Sequence, residues 1–474
     1  MPKNMSFLLR KVACVVKKQC REIRLRGIKL LNILLVAVPI VICWYCCYAD
    51  QIYIPFYRKG NWVVIALFLL VYQMFARVYD ALRISQSRIS EMIYSQSLSL
   101  LLADTILFAV TWLLMRRFPA LFPALVTLVA QLSVAVLWSL LANRWYFREF
   151  PPRKTAVVYS RQRNLEALIH QYGMEKKYQV YLTLDADRCA EDPELLADAE
   201  IVFISDASSH ARNAILKYCV EHNKEVFCLP RIGDIIMSGA RKMHMFHLPI
   251  LQVSRYQPSL DNVFLKRTFD ILSSALVLLI TSPIFAVTAI AIKLTDGGPV
   301  FYRQNRLTRN GKVFQVLKFR SMRVDAEKDG VARLSTGDKD PRITPVGRII
   351  RKLRIDELPQ LLNILEGSMS VVGPRPERPE IAAQYEEILP EFRLRLQVKA
   401  GLTGYAQVYG KYNTTPYDKL QMDLMYIANP SIVEDIRIIL ATVKILFQPE
   451  STEGVAEGQA TAQQVQEEQT PQPK

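Results

Sequence analysis

The run Leu279-Ile280-Thr281-Ser282-Pro283-Ile284-Phe285 sits at the centre of an apolar stretch from Ile271 to Leu294, and its reading decides how the C-terminal half meets a membrane. The stretch is long enough to cross a bilayer. Proline removes a backbone donor and clashes with the preceding turn, so Ser282-Pro283 predicts a kink. Charge decides between crossing and returning. Lys266 and Arg267 precede the run, while Lys293, Arg303, Arg306, Arg309 and Lys312 follow it, so both ends favour the cytoplasmic side. The expected element is a bent, re-entrant helix pair dipping into one leaflet, with an ordinary fifth span as the alternative.

Working upstream, Thr155 to Tyr256 holds short β-rich runs alternating with helical patterns: Ala156 to Tyr159, Gln179 to Leu182, Ile201 to Ile204 and Val226 to Leu229. That alternation predicts an α/β, Rossmann-like domain with a parallel sheet over 151–256. Its first turn reads Tyr159-Ser160-Arg161-Gln162-Arg163-Asn164, with no glycine to let a pyrophosphate approach. The domain is read as structural or oligomerising, with nucleotide sensing through Arg161 and Arg163 as the alternative. Residues 1–150 read as a membrane α-helical bundle. A basic leader is followed by four apolar spans near Ile28–Tyr48, Trp62–Phe75, Leu98–Met115 and Leu121–Ala142. The formal charge of +16 sits beside apolar runs, which suits anionic lipid and phosphate ligands rather than nucleic acid. The eight cysteines form no paired Cys-x-x-Cys units, so neither a disulfide framework nor a zinc site is expected.

Downstream, 257–448 reads as an α/β catalytic domain and 449–474 as a disordered tail rich in Gln, Glu, Thr and Pro. The basic run from Gly298 ends in Phe314-Gln315-Val316-Leu317-Lys318-Phe319-Arg320, whose alternation places Lys318 and Arg320 on one strand face. A basic amphipathic helix over Val346–Leu353 then leads into Arg354-Ile355-Asp356-Glu357-Leu358-Pro359. Asp356 reads as the N-cap of a helix whose apolar face is Leu358, Leu361, Leu362 and Leu365, which would favour an ionised carboxylate and any phosphate set against it. No histidine lies beyond His247, so carboxylates must do any acid-base work there. Gly373-Pro374-Arg375-Pro376 fixes one guanidinium in a rigid turn, suited to bidentate phosphate recognition. Lys399 to Val408 reads as a glycine-punctuated turn entering a strand, and Asp423 and Tyr426 share a helical face.

These motifs, with Lys266-Arg267-Thr268-Phe269-Asp270, Lys318-Phe319-Arg320-Ser321-Met322 and Gly401-Leu402-Thr403-Gly404, resemble the bacterial sugar transferases, the monotopic polyprenyl-phosphate phosphoglycosyl transferases. With the spans and sheet domain upstream, the chain resembles the large polyisoprenyl-phosphate hexose-1-phosphate transferases. One departure stands beside the dyad: Arg354-Ile355 replaces the Ser-Leu usual in the family. The resemblance implies transfer of a sugar-1-phosphate from a nucleoside-diphosphate sugar, expected to be a UDP-sugar, to polyprenyl phosphate. Asp356 would be the nucleophile and Glu357 the base toward polyprenyl phosphate. Arg351 and Arg375 would clamp phosphate, with Lys318, Arg320, Asp423 and Tyr426 orienting ligand or dyad. Mg²⁺ would be held by Asp356. The partners implied are UDP-sugar, polyprenyl phosphate, membrane lipid and a second copy in a homodimer, at the cytoplasmic face of a bacterial inner membrane. A non-catalytic scaffold of a polysaccharide assembly complex is the alternative, which the intact dyad opposes. A transporter would need more interior polar residues than the first four spans are read to hold.

Overall fold

The computed structural model describes residues 2–56, 59–84, 88–160, 165–323, 340, 342–410 and 414–446. Arg161, Arg163, half of the polar turn that the sequence suggests at 338–343, and the 449–474 tail lie outside the described residues. The chain divides into two compact units, Met1–Leu229 and Pro230–Lys474.

The first unit opens with α1 (Pro2–Cys43), α2 (Gly60–Val78), α3 (Ile89–Met115) and α4 (Leu121–Glu149). Each is long and apolar enough to cross a membrane, as is one helix of the second unit. The bundle interior is more polar than the sequence reading allows. Buried Asn32 donates to Gln96 at 3.2 Å and accepts from Tyr72 at 2.8 Å, while Gln96 donates to Ser139 at 3.2 Å. Facing helices satisfy such groups because lipid cannot. Next come β1 (Arg153–Tyr159), α5 (Leu165–Gln171), β2 (Tyr178–Asp185), α6 (Ala186–Glu191), β3 (Ile201–Ser205), α7 (Ser209–Glu221) and β4 (Glu225–Cys228). The strands form one parallel sheet in the order β2-β1-β3-β4, as the alternating pattern predicts. Val158, Val202 and Ile204 bury one sheet face against Ile215, Cys189 and Cys219, the thiols serving as small apolar groups.

The sequence reading carries this domain to 256, but the structure closes it at Leu229. The reason is packing. Helix α8 (Ile232–Ser238) buries Ile235 in the core of the second unit, and Gln421 donates to the Pro230 carbonyl at 2.5 Å. A hairpin of β5 (Arg241–Met245) and β6 (Leu248–Gln252) follows, unforeseen because most of its residues are exposed and carry no alternation.

The rest of the second unit is α9 (Leu260–Asp296), the antiparallel pair β7 (Phe301–Leu307) and β8 (Val313–Phe319), α10 (Pro345–Lys352), α11 (Gln360–Glu366), β9 (Ser370–Val372), α12 (Pro379–Ile388), β10 (Gly401–Thr403), α13 (Tyr405–Tyr409), α14 (Pro416–Ala428) and α15 (Ile432–Leu446). The short strands β9 and β10 run parallel. Where a strand was expected after the Gly401 turn, β10 is followed by the helix α13. Ile364, Met369, Val372, Phe392, Leu420 and Ile438 form the core beneath this layer. Ile292, Phe319 and Ile350 form a second cluster joining α9, β8 and α10.

Because Ile235 belongs to this second core, a chain beginning at Pro230 should outlast one beginning at Ser254. Losing a buried isoleucine costs on the order of 2 kcal/mol or more. Equal unfolding temperatures for the two truncations in the same detergent would overturn the boundary.

Candidate active site

The site begins at Thr344, whose hydroxyl accepts from the Gly347 amide at 2.9 Å and starts α10. Gly347 is required there, since a Cβ would lie 1.9 Å from the Ser321 carbonyl oxygen. Ile350 turns inward against Phe319, leaving Ile349 and Leu353 about three-fifths exposed at 61% and 60%. The helix stops at Leu353, and Arg354 takes the left-handed conformation at φ 55°. That reversal sends Ile355-Asp356-Glu357 into a single 3₁₀ turn, after which α11 starts at Gln360 behind Pro359. Asp356 is therefore not an N-cap, and the expected dipole stabilisation is absent. Nor does the full leucine face form, since Leu362 is exposed while Ile364 is buried.

Helix α11 is fixed to β8 by a residue the sequence reading missed. Asn363 accepts from the Leu317 amide at 2.8 Å and donates to the Gln315 carbonyl at 3.0 Å, acting as a neighbour strand would. Arg267 of α9 holds the other end of α11 through the Ile364 and Leu365 carbonyls. Lys318, adjacent to Leu317, then reaches Glu357 Oε1 at 3.2 Å. Arg375 reaches the same oxygen at 3.2 Å, and Arg354 faces Oε2 at 3.8 Å.

The two carboxylates consequently differ. Burial alone would raise Glu357, but Lys318, Arg375 and Arg354 hold it far below the usual carboxylate range. Asp356 forms no ion pair with a described residue. Burial first, and the Glu357 charge second, push it up to about 6 against the pull of Lys318, Arg351 and Arg354. Among the described residues, no three His, Cys, Asp or Glu side chains cluster as a metal cage.

Of the residues singled out in the sequence, Asp356, Glu357, Lys318, Arg351 and Arg375 share this site. Arg320 does not join them. The strand ends at Phe319, and Arg320 is buried in an ion pair with Asp296. Asp423 and Tyr426 lie behind the site. Asp423 pairs with Arg395 at 2.7 Å, and Arg395 donates to the Arg375 carbonyl at 2.9 Å. Tyr426 donates to Asp435 at 2.8 Å and to the Val372 carbonyl at 3.3 Å.

Comparison with known proteins bears on this geometry. The family described as "Bacterial sugar transferase" matches residues 261–449. An exopolysaccharide production protein of Rhizobium leguminosarum bv. phaseoli is 45% identical over 191 residues, which cover 38% of this chain and 94% of that protein. The chain belongs to the bacterial sugar transferase family. Two longer sugar transferases match as well. A UDP-glucose:undecaprenyl-phosphate glucose-1-phosphate transferase of Escherichia coli is 39% identical over 46% of this chain and 48% of its own length. A UDP-N-acetylgalactosamine-undecaprenyl-phosphate N-acetylgalactosaminephosphotransferase of Aeromonas hydrophila is 39% identical over 49% and 54%. The chain thus spans about half the length of these two relatives.

The opposed environments predict opposed stabilities. Asp356 binds its proton more tightly when folded, so its ionisation costs stability as pH rises through about 6. Asp356→Asn should raise the unfolding temperature at pH 8, by an amount worth roughly 1–3 kcal/mol, and the gain should vanish in acid. Glu357 contributes stability above its ordinary carboxylate value and loses it only in strong acid. Glu357→Gln should therefore destabilise by about 3 kcal/mol at both pH 8 and pH 5, because it strands three cations. Shifts of the same sign for the two variants at pH 8 would refute this assignment.

Proposed function

We propose that the protein transfers a sugar-1-phosphate from a UDP-sugar to polyprenyl phosphate through a phosphosugar carried on Asp356. The observation that carries this reading is the division within the dyad. One carboxylate is saturated by cations, while its neighbour forms no ion pair with a described residue in a basic surround that suits a diphosphate. In the first half-reaction an Asp356 oxygen attacks the sugar-bearing phosphorus. The bond to the bridging oxygen breaks, and UMP leaves with that oxygen and its electron pair. Arg351 and Arg375 balance the charge on the phosphate oxygens. In the second half-reaction an oxygen of polyprenyl phosphate attacks the same phosphorus and restores Asp356.

Glu357 was expected to relieve polyprenyl phosphate of a proton, and its ion pairs argue against that role. A carboxylate held this acidic is a poor base, and a phosphate monoester with its second pKa near ~6 is already largely dianionic at neutral pH. Glu357 is read instead as the anchor that gathers Lys318, Arg354 and Arg375. Mg²⁺ fits the donor set, because Asp356 supplies one hard oxygen and the diphosphate and water would supply the others. When bound it would offset the charge of the diphosphate. The relatives' names support UDP-sugars as donors and undecaprenyl phosphate as acceptor, and one names exopolysaccharide production.

The re-entrant placement of α9 is part of this proposal. Its start is tied to the core by Lys266, which donates to Asp435 at 2.7 Å, and by Asp270, which accepts from Ser370 at 2.8 Å. Its second half packs Phe285 against Phe319 with ring centroids 4.6 Å apart, and Asp296 at its end pairs with Arg320. Both ends meet the same unit while Leu272, Leu276, Leu279 and Ile280 between them are exposed. Such a helix suits a dip into one leaflet better than a crossing.

Purified protein supplied with a panel of UDP-sugars and a short polyprenyl phosphate should release UMP. Asp356→Asn should abolish both turnover and the phosphosugar-enzyme, and wild-type rate should fall as pH drops through about 6, where Asp356 takes up its proton. Full activity of the asparagine variant would remove the basis of the reading. For topology, single cysteines replacing Leu260 and Val313 in a cysteine-free chain should both react only with reagents admitted to the cytoplasm. Labelling of either from outside would exclude re-entry.

A further inference from the structure

We propose that the start of α9 carries a second phosphate site, apart from the dyad, in which Arg267, Arg309 and Lys399 receive the phosphate of an anionic phospholipid. The inference rests on the proposed placement of α9 in lipid. Its first support is how the chain gathers these side chains. The Ala400 amide, next to Lys399, donates to Thr308 Oγ1 at 3.2 Å, and that hydroxyl donates to the Ser368 carbonyl at 3.0 Å. Arg309 follows Thr308. Gly367, before Ser368, packs on Arg267, since a Cβ there would lie 3.3 Å from Arg267 Nη2. Arg255 joins the same turn by donating to Asn310 Oδ1 at 2.9 Å. The cluster therefore sits at the end of α11 that Arg267 holds, a helix length of roughly 10 Å from the dyad.

The second support is unmet charge. Arg267, Arg309 and Lys399 form no ion pair with a described residue, and Arg267 is spent on the Ile364 and Leu365 carbonyls. Arg309 Nε is buried without an acceptor, which costs free energy until the guanidinium turns toward an anion. Burial first, then Arg267 and more weakly Arg309, hold the Lys399 ammonium below its usual range against the pull of Asp270. Asp270 is already engaged by Ser370 Oγ, the Val371 amide and, at 3.6 Å, Lys266. An anion placed among these cations removes their mutual repulsion. The third support selects the source of the phosphate. No Lys or Arg lies between Arg267 and Lys293, so Arg267 stands where α9 turns apolar. Phe264 and Ile271, one turn to either side of Arg267, are exposed, as are Leu272 and Leu276 beyond. A free phosphate would use the cations alone, whereas a phospholipid also lays its acyl chains on these residues. Cations at such a boundary attract anionic headgroups.

The test follows the unfolding temperature of the full-length protein in neutral detergent as short-chain phosphatidylglycerol is added, with short-chain phosphatidylcholine and inorganic phosphate as the other arms. Phosphatidylglycerol should raise it by binding the folded state, and the other two should raise it less. Apparent affinity for phosphatidylglycerol should fall about fivefold in Arg309→Gln and about fivefold in Lys399→Gln, the worth of one basic residue at an anionic surface. Arg309→Lys and Lys399→Arg, which keep the charge, should retain most of it. Without lipid, Lys399→Gln should unfold at or above the wild-type temperature, because it removes a like charge from the cluster, and a marked fall would overturn the account of unmet charge. An unchanged response to phosphatidylglycerol in the Arg309→Gln, Lys399→Gln double variant would overturn the site. An equal rise with inorganic phosphate or with phosphatidylcholine would overturn the anionic lipid as its ligand. UMP release in the same detergent should be unaffected by these variants, which separates the cluster from the dyad. If wild-type protein releases no UMP from any donor, the proposed function fails while the lipid titration, which needs neither turnover nor a bilayer, still decides this site.

Discussion

Everything at the site depends on one carboxylate standing among three cations. Lys318 arrives on β8, Arg354 on the turn after α10 and Arg375 on the segment after β9, and these segments would repel one another without Glu357 between them. Because Glu357 is only 15% exposed, water screens these pairs weakly and the attraction acts at nearly full strength. The same charge then acts on its neighbour. Asp356 lies in the same tight 3₁₀ turn and cannot move away from Glu357, so burial first and that charge second disfavour its ionised form and raise it to about 6. The raised neighbour thus reflects its burial and, after that, an anchor that keeps its charge.

The anchor needs a rigid clamp, and buried charge supplies it. The Val372 carbonyl accepts from Lys266 and Tyr426, the Arg375 carbonyl from Arg395, and the Pro376 carbonyl from Arg306. Such donors are costly to bury unless their own charge is met. Asp423 and Glu377 meet Arg395, and Lys419 reaches Glu377 at 3.0 Å, where the two cations draw the Glu377 carboxyl down to about 2 despite its burial. Asp423 and Tyr426 therefore act on Arg375 and Val372 through the backbone, at a remove from any ligand. Gly401 completes the seat. A Cβ there would lie 2.1 Å from the Gly373 amide nitrogen, so only glycine lets the two strands close beneath Arg375.

How far this was legible in the sequence follows from which forces are local. The parallel sheet and the membrane-length helices were readable because apolar period and β-branched runs report burial directly. The dyad, Lys318 and Arg375 were readable because charge isolated between apolar runs demands a partner or a ligand. Three features were hidden. The left-handed Arg354 carries no propensity signal, so Pro359 suggested a helix beginning at Asp356 when the chain first makes a 3₁₀ turn. Alternation placed Arg320 beside Lys318, yet Gly298, where a Cβ would lie 1.9 Å from Arg320 Nη1, lets its guanidinium turn toward Asp296. Helical spacing joined Asp423 to Tyr426 correctly but could not say which side of the core they face. Asn363 did leave a trace, as the lone polar residue among Leu361, Leu362, Ile364 and Leu365, and such an intrusion signals a backbone left without its own partner.

Helix α9, an apolar helix long enough to cross a membrane, ties these parts together. Lys266 holds the strand that leads to Arg375, while the adjacent Arg267 holds the last carbonyls of the helix that follows Asp356. Two consecutive residues at the start of one apolar helix thus position both halves of the site. Asp270, one turn on, accepts from Ser370 Oγ at 2.8 Å and from the Val371 amide at 3.1 Å, and is almost fully buried. A shift of α9 along its axis would break these bonds and leave buried charge unmet, a cost that interior packing does not absorb gradually. The seating of this apolar helix and the geometry of the dyad are therefore set by the same side chains. Through these bonds the Lys266-Arg267 pair fixes both segments of the dyad site against one apolar helix.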